Sequence, residues 1–353
     1  MRFDESVTLE AAACWLPPER ERAADLVAAG RLPPEGPAEA GVTEVPVASA
    51  RAAPEMAVLA GRRALSRADV PPDDIGLLLH SWLYHQGHDF WSPAHFVAHG
   101  VGAPHALPVG VQQMCHGGAV SLYTAAAQMS ADPALRAALV TTGDRFQGPG
   151  FDRWGSDSHA AYGDGATAAV LGRSGRGLSL LAHTVHVDSA LESMYRGSDS
   201  FSAAPLEHSR PVDVRRTKKA FAAAGGLEEF ARIAPAAIRG VIDRALEEAG
   251  LAPADPRVRQ VLLPRLGPRT LELTYLPALR DRLPHAATVR AGADTGHLGS
   301  GDAVANLAHL QEHDLLDAGE FALVLTGGGG FTWSCLVVRR SAEPADEGSG
   351  VGC

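Results

Sequence analysis

Short apolar runs alternate with amphipathic helical segments along most of this chain. Runs such as Ile75–Leu79, Ala138–Val140 and Phe321–Leu325 are short and partly β-branched, which is typical of strands buried on both faces of a sheet. Between the runs, apolar residues recur at helical spacing. The alternation predicts a layered α/β fold with a mixed sheet.

The two halves of the chain repeat this pattern. Residues 60–81 read AGRRALSRADVPPDDIGLLLHS, and residues 241–264 read VIDRALEEAGLAPADPRVRQVLLP, so Arg63 matches Arg244 (244 − 63 = 181). Each segment is a helix containing Arg-Ala-Leu, then a Pro/Asp turn, then a short strand. ALVTTGD from Ala138 and ALVLTGG from Ala322 have a similar spacing (322 − 138 = 184). A duplicated α/β unit, with two similar halves packed together, is therefore expected.

Composition limits the classes of function. With 353 residues, 46% hydrophobic and 20% charged, the chain resembles a globular protein. No apolar run is long enough to span a membrane, and we expect no secretory signal. The net charge of -10 argues against nucleic-acid binding. The cysteines form no C-x-x-C pair, which favours a reduced cytoplasmic compartment, and the histidines between residues 80 and 99 match no common zinc pattern, so no metal is expected.

Cys115 is the candidate nucleophile. It follows a short apolar run and precedes Gly117, Gly118 and a helical pattern from Ala119 to Met129. A thiol at the start of a helix is stabilised as the thiolate by free backbone amides and by the helix dipole, and the same amides can hold an oxyanion. A buried, inert cysteine is the plainer alternative.

Three further turns could meet at this site. The segment Asp294–Asp302 of the C-terminal half places His297 at nearly the same repeat offset as Cys115, so the two side chains are expected to lie opposite each other at the junction of the halves. Tyr162–Val170 is a Tyr-Gly-Asp-Gly-Ala turn that opens a strand. Gly327–Trp333 places four consecutive glycines after a buried strand, where a backbone amide can face a reacting centre.

Together these motifs resemble the ketoacyl-acyl-carrier-protein synthase III family of the thiolase superfamily, from about Val42 to Arg339. The resemblance implies a thiolase-like five-layer α-β-α-β-α fold with two pseudo-symmetric halves. We expect an N-terminal half, residues 1–175, carrying Cys115, a C-terminal half, residues 176–340, carrying His297, and a disordered tail, residues 341–353. Family membership also implies a homodimer and a cysteine that is acylated by a coenzyme A or carrier-protein thioester, with no cofactor.

The sequence departs from the family pattern at two positions. Condensing members use a Cys, a His and an Asn. Here Arg265 stands where that His belongs, and His297 replaces the Asn of a Gly-Asn-Thr-Ser turn. A guanidinium is always charged and cannot exchange a proton. One imidazole near the cysteine suits simpler chemistry, in which His297 takes a proton from an acceptor hydroxyl or amine.

The sequence is thus similar to the non-condensing O-acyltransferase subgroup represented by CerJ, which includes enzymes that acylate sugars on polyketides. We expect catalysis by Cys115 and His297, with Asp302 orienting the imidazole; Asp294 is a rival for that role. The amides of Cys115 and Gly329 would form the oxyanion hole, and Arg265 would bind a retained malonyl carboxylate.

Alternatives remain at this point. A decarboxylating condensing enzyme and a non-catalytic partner of a polyketide assembly are both compatible with the sequence. His116, next to Cys115, is a less favoured base. Trp82, Phe90 and Trp91 could line an acceptor pocket, although residues 186–235 diverge most from the family and are expected to shape it. A basic cluster could attract the phosphate of the donor or an acidic carrier protein, or could be a solvated helix start; it comprises Arg215, Arg216, Lys218 and Lys219.

Overall fold

The computed structural model describes residues 1–3, 6–158 and 160–341. Its strands are β1 (Thr8–Trp15), β2 (Arg20–Arg22), β3 (Glu44–Pro46), β4 (Ile75–Ser81), β5 (Leu107–Val111), β6 (Ala137–Asp144), β7 (Gly165–Gly172), β8 (Leu178–Val187), β9 (Val258–Leu262), β10 (Ala287–Val289), β11 (Phe321–Gly328) and β12 (Thr332–Arg340). Its helices are α1 (Ala23–Ala28), α2 (Gly36–Ala40), α3 (Ala53–Ala68), α4 (Pro93–Val101), α5 (Gly117–Ala131), α6 (Ser193–Arg196), α7 (Val214–Ala223), α8 (Gly226–Glu248), α9 (Pro268–Thr270), α10 (Leu276–Arg282) and α11 (Asp302–Glu312). The tail predicted to be disordered lies outside the described residues from residue 342 onward.

Ten strands form one mixed sheet whose two halves mirror each other. The N-terminal strands run in the order β5-β4-β6-β7-β1, and the C-terminal strands run in the order β10-β9-β11-β12-β8. In each half the first three strands are parallel and the last two pair antiparallel. The halves meet where β1 pairs with β8 through two residue pairs. The predicted boundary at residue 175 lies in the turn between β7 and β8.

Helices cover the strands in the expected layers. One outer core packs α3 and α4 against the N-terminal strands, and another packs α8 and α10 against the C-terminal strands. A central core joins α5 and α11 to both sets of strands. Because both faces are covered, β6 and β7 are buried along their whole length, which explains their continuous apolar sequences. The predicted five-layer α-β-α-β-α arrangement is confirmed.

The matched residues of the repeat make matching contacts. Arg63 of α3 donates to the carbonyl of Cys14 on β1 at 2.7 Å, and Arg244 of α8 donates to the carbonyl of Val185 on β8 at 2.9 Å. The repeated Ala138 and Ala322 segments form β6 and β11, which occupy equivalent places in the sheet. The duplicated unit read from the sequence is therefore present in the fold.

One detail of the repeat differs from the prediction. Cys115 lies two residues before α5, and the residue two positions before α11 is Ser300, not His297. His297 instead lies in the loop that precedes the short 3₁₀ turn Gly299–Gly301. The two halves still meet at this point, because α5 and α11 lie side by side in the central layer. Among the described residues, no helix combines the length and apolar character needed to cross a bilayer.

Candidate active site

The turn that carries Cys115 is tightly built. After β5, residues Met114–His116 form a 3₁₀ turn in which Met114 has a φ of 48°, an uncommon conformation for a residue with a side chain. Cys115 itself is half-buried. A β-carbon at Gly117 would lie 2.0 Å from Ser81 Oγ, and one at Gly118 would lie 2.5 Å from the carbonyl oxygen of Ser300. The two glycines are therefore needed for α5 to begin directly against the end of β4 and against the turn before α11.

His297 is held from several sides. Its ring is 3% exposed, and Nδ1 lies 2.7 Å from Oδ2 of Asp302, the first residue of α11. Its backbone amide donates to Ala161, and the Tyr162 ring packs edge-on against the imidazole at 5.1 Å. Nε2 meets no described residue within hydrogen-bond geometry. The imidazole thus has one nitrogen fixed by a carboxylate and the other free for chemistry.

Asp302 is the acid that contacts His297, whereas the rival Asp294 is exposed. Besides His297, Asp302 accepts the amide of Leu298 at 3.0 Å and the amide of Arg265 at 3.1 Å. Burial would raise the pKa of Asp302, but the charges of His297 and Arg265 outweigh it and hold the pKa below its ordinary value. The carboxylate therefore stays ionised in a buried site.

The electrostatics of His297 link it to Cys115. Burial alone would lower the pKa of His297, but the Asp302 carboxylate and then the Cys115 thiolate overcome this and raise the pKa well above its ordinary value. The same thiolate contributes, after burial, to the raised pKa values of Tyr162, Tyr195 and Tyr275. The charge of Cys115 acts on all four groups, which agrees with the prediction that the thiol and the imidazole share one site.

Arg265 points into the protein. Its side chain is 4% exposed, and Nε donates to Thr295 at 3.2 Å, while Nη1 donates to the carbonyl of Asp302 at 3.0 Å and to Asn306 Oδ1 at 2.8 Å. The guanidinium therefore fastens the start of α11 and, through it, the carboxylate that holds His297. The predicted contact of Arg265 with a substrate carboxylate stays a prediction, and only Nη2, which donates to no described residue, is open to it.

The glycine run at the end of β11 packs against the nucleophile turn and against Tyr195. A β-carbon at Gly328 would lie 2.7 Å from the backbone nitrogen of His116, and one at Gly329 would lie 2.9 Å from the ring of Tyr195. Outside the helices and strands of the described residues, the amides of Cys115 and Gly329 donate to no backbone carbonyl. Amides without such a partner suit an oxyanion hole, which remains a prediction.

Sequence reasoning missed a buried polar cluster behind the nucleophile. Ser334 Oγ contacts His116 Nε2 at 2.8 Å, His183 Nε2 at 3.0 Å and Thr326 Oγ1 at 2.6 Å. Burial lowers the pKa of His116 to about 4, and burial with the neighbouring His116 and the N-terminal charge lowers that of His183 to about 3. His116 is therefore neutral, and its Nε2 is engaged by Ser334 in the buried interior. Only the pairing of distant strands brings these residues together.

Asp144, at the end of β6, was also not singled out. Its Oδ1 accepts the amides of Leu83 and Tyr84, and its Oδ2 accepts the amide of Ser300 at 3.0 Å. Burial raises the pKa of Asp144 to about 6, despite the lowering effect of these hydrogen bonds. The side chain joins a loop of the N-terminal half to the turn before α11, and so helps to set the distance between the halves.

Other candidates have contacts of their own. Trp82 stacks on His80 at 5.7 Å, whereas Phe90 and Trp91 line a separate surface cavity beside Pro54 and Phe96. Among the described residues, no cluster of His, Cys, Asp and Glu could hold a metal ion.

The basic cluster lies on α7 and is mostly engaged within the protein. Arg215 donates to the carbonyls of Trp154 and Asp157, Arg216 pairs with Asp199, and Lys218 pairs with Asp157 at 2.6 Å. Its predicted attraction for the donor's phosphate stays a prediction.

Known proteins resemble this chain over most of its length. A family model described as 3-oxoacyl-[acyl-carrier-protein (ACP)] synthase III matches residues 109–189. The β-ketoacyl-[acyl-carrier-protein] synthase III of Listeria monocytogenes serotype 1/2a (strain 10403S) is 26% identical over 288 residues, which is 81% of this chain and 82% of that protein. The enzyme of the same name from Synechocystis sp. (strain ATCC 27184 / PCC 6803 / Kazusa) is 25% identical over 290 residues, 80% of this chain and 82% of that protein.

Solved structures also resemble this chain. ChlB3, described as an acyltransferase, is 30% identical with a TM-score of 0.85, and the match covers 95% of this chain and 98% of that one. The priming β-ketosynthase from the R1128 polyketide biosynthetic pathway has a TM-score of 0.77 at 21% identity, covering 97% and 98% of the two chains, and supports the fold. With this fold and this cysteine turn, the chain belongs to the ketoacyl-acyl-carrier-protein synthase III family of the thiolase superfamily, a family of enzymes.

Proposed function

We propose that the protein is an acyltransferase that moves an acyl group from a coenzyme A or carrier-protein thioester, through acyl-Cys115, to the hydroxyl (or amine) of a small-molecule acceptor. The observation that carries this proposal is the buried His297, held by Asp302 and leaving Nε2 free beside a half-buried Cys115. ChlB3, a relative at 30% identity, is described as an acyltransferase.

The first half-reaction loads the enzyme. The Cys115 thiolate attacks the thioester carbonyl and forms a carbon–sulfur bond, while the amides of Cys115 and Gly329 hold the oxyanion. The intermediate collapses by breaking the bond to the donor thiol. The raised pKa of His297 keeps the imidazole protonated in the resting site, so it can give its proton to the departing thiolate. The products are acyl-Cys115, neutral His297 and the free donor thiol.

The second half-reaction reverses the proton movement. Acylation removes the Cys115 charge, one of the two charges that raise the pKa of His297, so the neutral imidazole persists long enough to act. Nε2 accepts the proton of the acceptor hydroxyl as its oxygen attacks the acyl carbon. Collapse releases the ester and regenerates the Cys115 thiolate beside protonated His297. No decarboxylation is required.

Arg265 supports ester formation over condensation. In the condensing members that the sequence resembles, a neutral donor stabilises the charge left by loss of carbon dioxide. Here the matching guanidinium is buried against Asp302 and Asn306. If the acyl group is malonyl, the unbonded Nη2 of Arg265 would attract its carboxylate and help to retain it.

A decarboxylating condensing enzyme is the second candidate, since the relatives from Listeria and Synechocystis carry the name of a ketoacyl synthase. Labelled malonyl-CoA separates the two. Ester formation is expected to give a Cys115 adduct in the intact mass without labelled carbon dioxide, and Cys115→Ala should carry no adduct. Stoichiometric carbon dioxide with a chain-extended product would refute the proposal, and a product formed equally by Cys115→Ala would refute catalysis by that thiol.

The acceptor, the assembly and the compartment are proposals as well. We propose that the acceptor is a sugar of a polyketide natural product, that the enzyme acts in the cytoplasm and that it is a homodimer. Support for the dimer comes from the edge strand β5, where Leu107 is exposed, and from the exposed Phe90, Trp91 and Phe96 nearby in the same half. The mass in solution, measured by light scattering, tests the assembly.

A further inference from the structure

One member of the basic cluster on α7 points into the protein. The side chain of Lys218 is only 14% exposed, and its Nζ donates to Oδ1 of the buried Asp157 at 2.6 Å. The same ammonium lies 5.1 Å from the centre of the Tyr195 ring, which gives it a cation–π contact. The neighbouring Lys219 is exposed. Lys218 is therefore placed to act within the protein rather than on a ligand that approaches from solvent.

Asp157 connects Lys218 to Tyr162. Its Oδ2 accepts the phenol of Tyr162 at 3.2 Å, and both side chains are buried. Burial, and then the charge of Asp157, raise the pKa of Tyr162 well above its ordinary value, so the phenol keeps its proton and remains a donor. A carboxylate at this depth is costly without a cation beside it, and Lys218 supplies one. The three side chains thus form one chain of contacts from α7 to Tyr162.

Tyr162 lies against the candidate base, His297. The two residues form a parallel backbone bridge, in which the amide of His297 donates to the carbonyl of Ala161 at 2.8 Å. The Tyr162 ring also packs edge-on against the imidazole at 5.1 Å. The hydrogen bond between Nδ1 and Asp302 fixes one atom of the imidazole and leaves the ring free to turn about that bond. Contact with the Tyr162 ring limits this rotation and so fixes the direction of Nε2.

We propose that Lys218 is a positioning residue for the imidazole of His297. It holds Asp157 in place, Asp157 holds the Tyr162 ring, and the ring keeps Nε2 of the imidazole directed toward Cys115. Lys218 would then set the rate of the chemical steps and not the affinity for the donor. This inference rests on the proposed acyl transfer and adds a residue that acts on its base from another helix.

Alkylation of Cys115 by iodoacetamide at pH 6 tests the proposal on the whole protein without any substrate, because a well-placed cation favours the reactive thiolate. Lys218→Met keeps the length of the side chain and removes its charge, and it should slow alkylation by about fivefold. Lys218→Arg can still bond to Asp157 and should retain most of the rate. Lys219→Met is the matched control and should leave the rate unchanged. A change of less than about twofold in folded Lys218→Met, or an equal change in Lys219→Met, would overturn the proposal.

Tyr162→Phe separates positioning from a direct effect of the Lys218 charge. It keeps the ring and every charge and removes only the bond to Asp157, so it should slow alkylation by a similar factor. Because the two residues act along one chain of contacts, the double variant should be no slower than the slower single variant. An unchanged rate in Tyr162→Phe, or effects that multiply in the double variant, would refute the chain. If Lys218→Met does not fold, Tyr162→Phe alone decides.

Loading of Cys115 from malonyl-CoA measures the consequence for the reaction. In Lys218→Met the loading rate at saturating donor should fall, and the donor concentration that gives half the maximal rate should stay the same. A higher half-saturating concentration with an unchanged saturated rate would show that Lys218 attracts the donor, and would overturn the positioning role. Failure of the wild type to load from any acyl thioester would instead refute the proposed function, whereas the alkylation rates would still decide the role of Lys218.

Discussion

The contact between His297 and Asp302 makes the sharpest prediction, because it can be tested without knowing either substrate. Replacing Asp302 by Asn keeps the size of the side chain and removes its charge. The two bonded atoms lie 2.7 Å apart, which places the charge centres roughly 4 Å apart. At an effective dielectric constant of about 20, that attraction amounts to about 4 kcal/mol, and its loss favours the neutral form of His297.

Alkylation by iodoacetamide reports the consequence. A cation beside a cysteine favours the thiolate, which is the reactive form. Asp302→Asn weakens the positive charge on His297, so it should slow alkylation of Cys115 at pH 6 by at least tenfold, the effect of about 1.4 kcal/mol. Peptide mapping identifies the modified cysteine. Cys14 should not compete, because burial raises its pKa to about 11.

Asp294→Asn is the matched control, since it removes the exposed rival acid and should leave the rate unchanged. Thermal unfolding of both variants checks that Asp302→Asn still folds, because its side chain also accepts the amides of Leu298 and Arg265. An unchanged alkylation rate in folded Asp302→Asn, or an equal loss in Asp294→Asn, would refute the assignment of Asp302.

Three further predictions follow from the same contacts. His297→Ala should slow the transfer of the acyl group from Cys115 to an alcohol by about 10²–10⁴-fold, the usual contribution of a general base. Loading of Cys115 should slow less, because a thiolate leaves more readily than an alkoxide forms. Intact mass measures both rates, and an equal loss in the two would refute the role given to His297. Arg265→Lys should lower the free energy of unfolding by about 1–3 kcal/mol, since a lysine keeps the charge but cannot reach both the carbonyl of Asp302 and the side chain of Asn306 with a planar fork; a urea titration that shows no change would contradict the anchoring role. Burial holds the pKa of His183 at about 3 in the folded protein, so below about pH 6.5 only the unfolded chain binds a proton there, and stability falls as the pH falls. Between pH 7 and pH 4.5, the free energy of unfolding of the wild type should fall by about 3 kcal/mol more than that of His183→Gln. Equal losses in the two proteins would refute this.

Much of the architecture could be predicted from the sequence because it depends on local periodicity. Alternating apolar runs and helical spacing indicated the buried strands, and the repeated Arg63 and Arg244 segments indicated two related halves. The glycines after Cys115 marked a close approach of backbone to another element, which the contacts of Gly117 with Ser81 now explain. Such features can be recognised in the sequence because each is a property of one short segment.

The residues of the site could be predicted from the sequence only in part. The repeat indicated that the turns of Cys115 and His297 lie near each other, although the residue equivalent to Cys115 is Ser300. The choice of Asp302 over Asp294 needed the structure, in which Asp302 is buried at the start of α11 and Asp294 is exposed. Arg265 could be seen to replace a family histidine, yet the sequence did not reveal that its guanidinium binds Asp302 and Asn306. No sequence motif marks His183 or Ser334, so neither could be predicted.

The amino-acid sequence by itself determined the repeated α/β unit, the nucleophile turn and the presence of a single imidazole in place of the family's His and Asn pair. The tertiary structure decided which acid holds that imidazole and which groups the Arg265 guanidinium binds. The physical reason is that hydrophobic periodicity and glycine turns report the environment of one segment, whereas a hydrogen bond between residues far apart in the chain exists only after two layers have packed and excluded water between them.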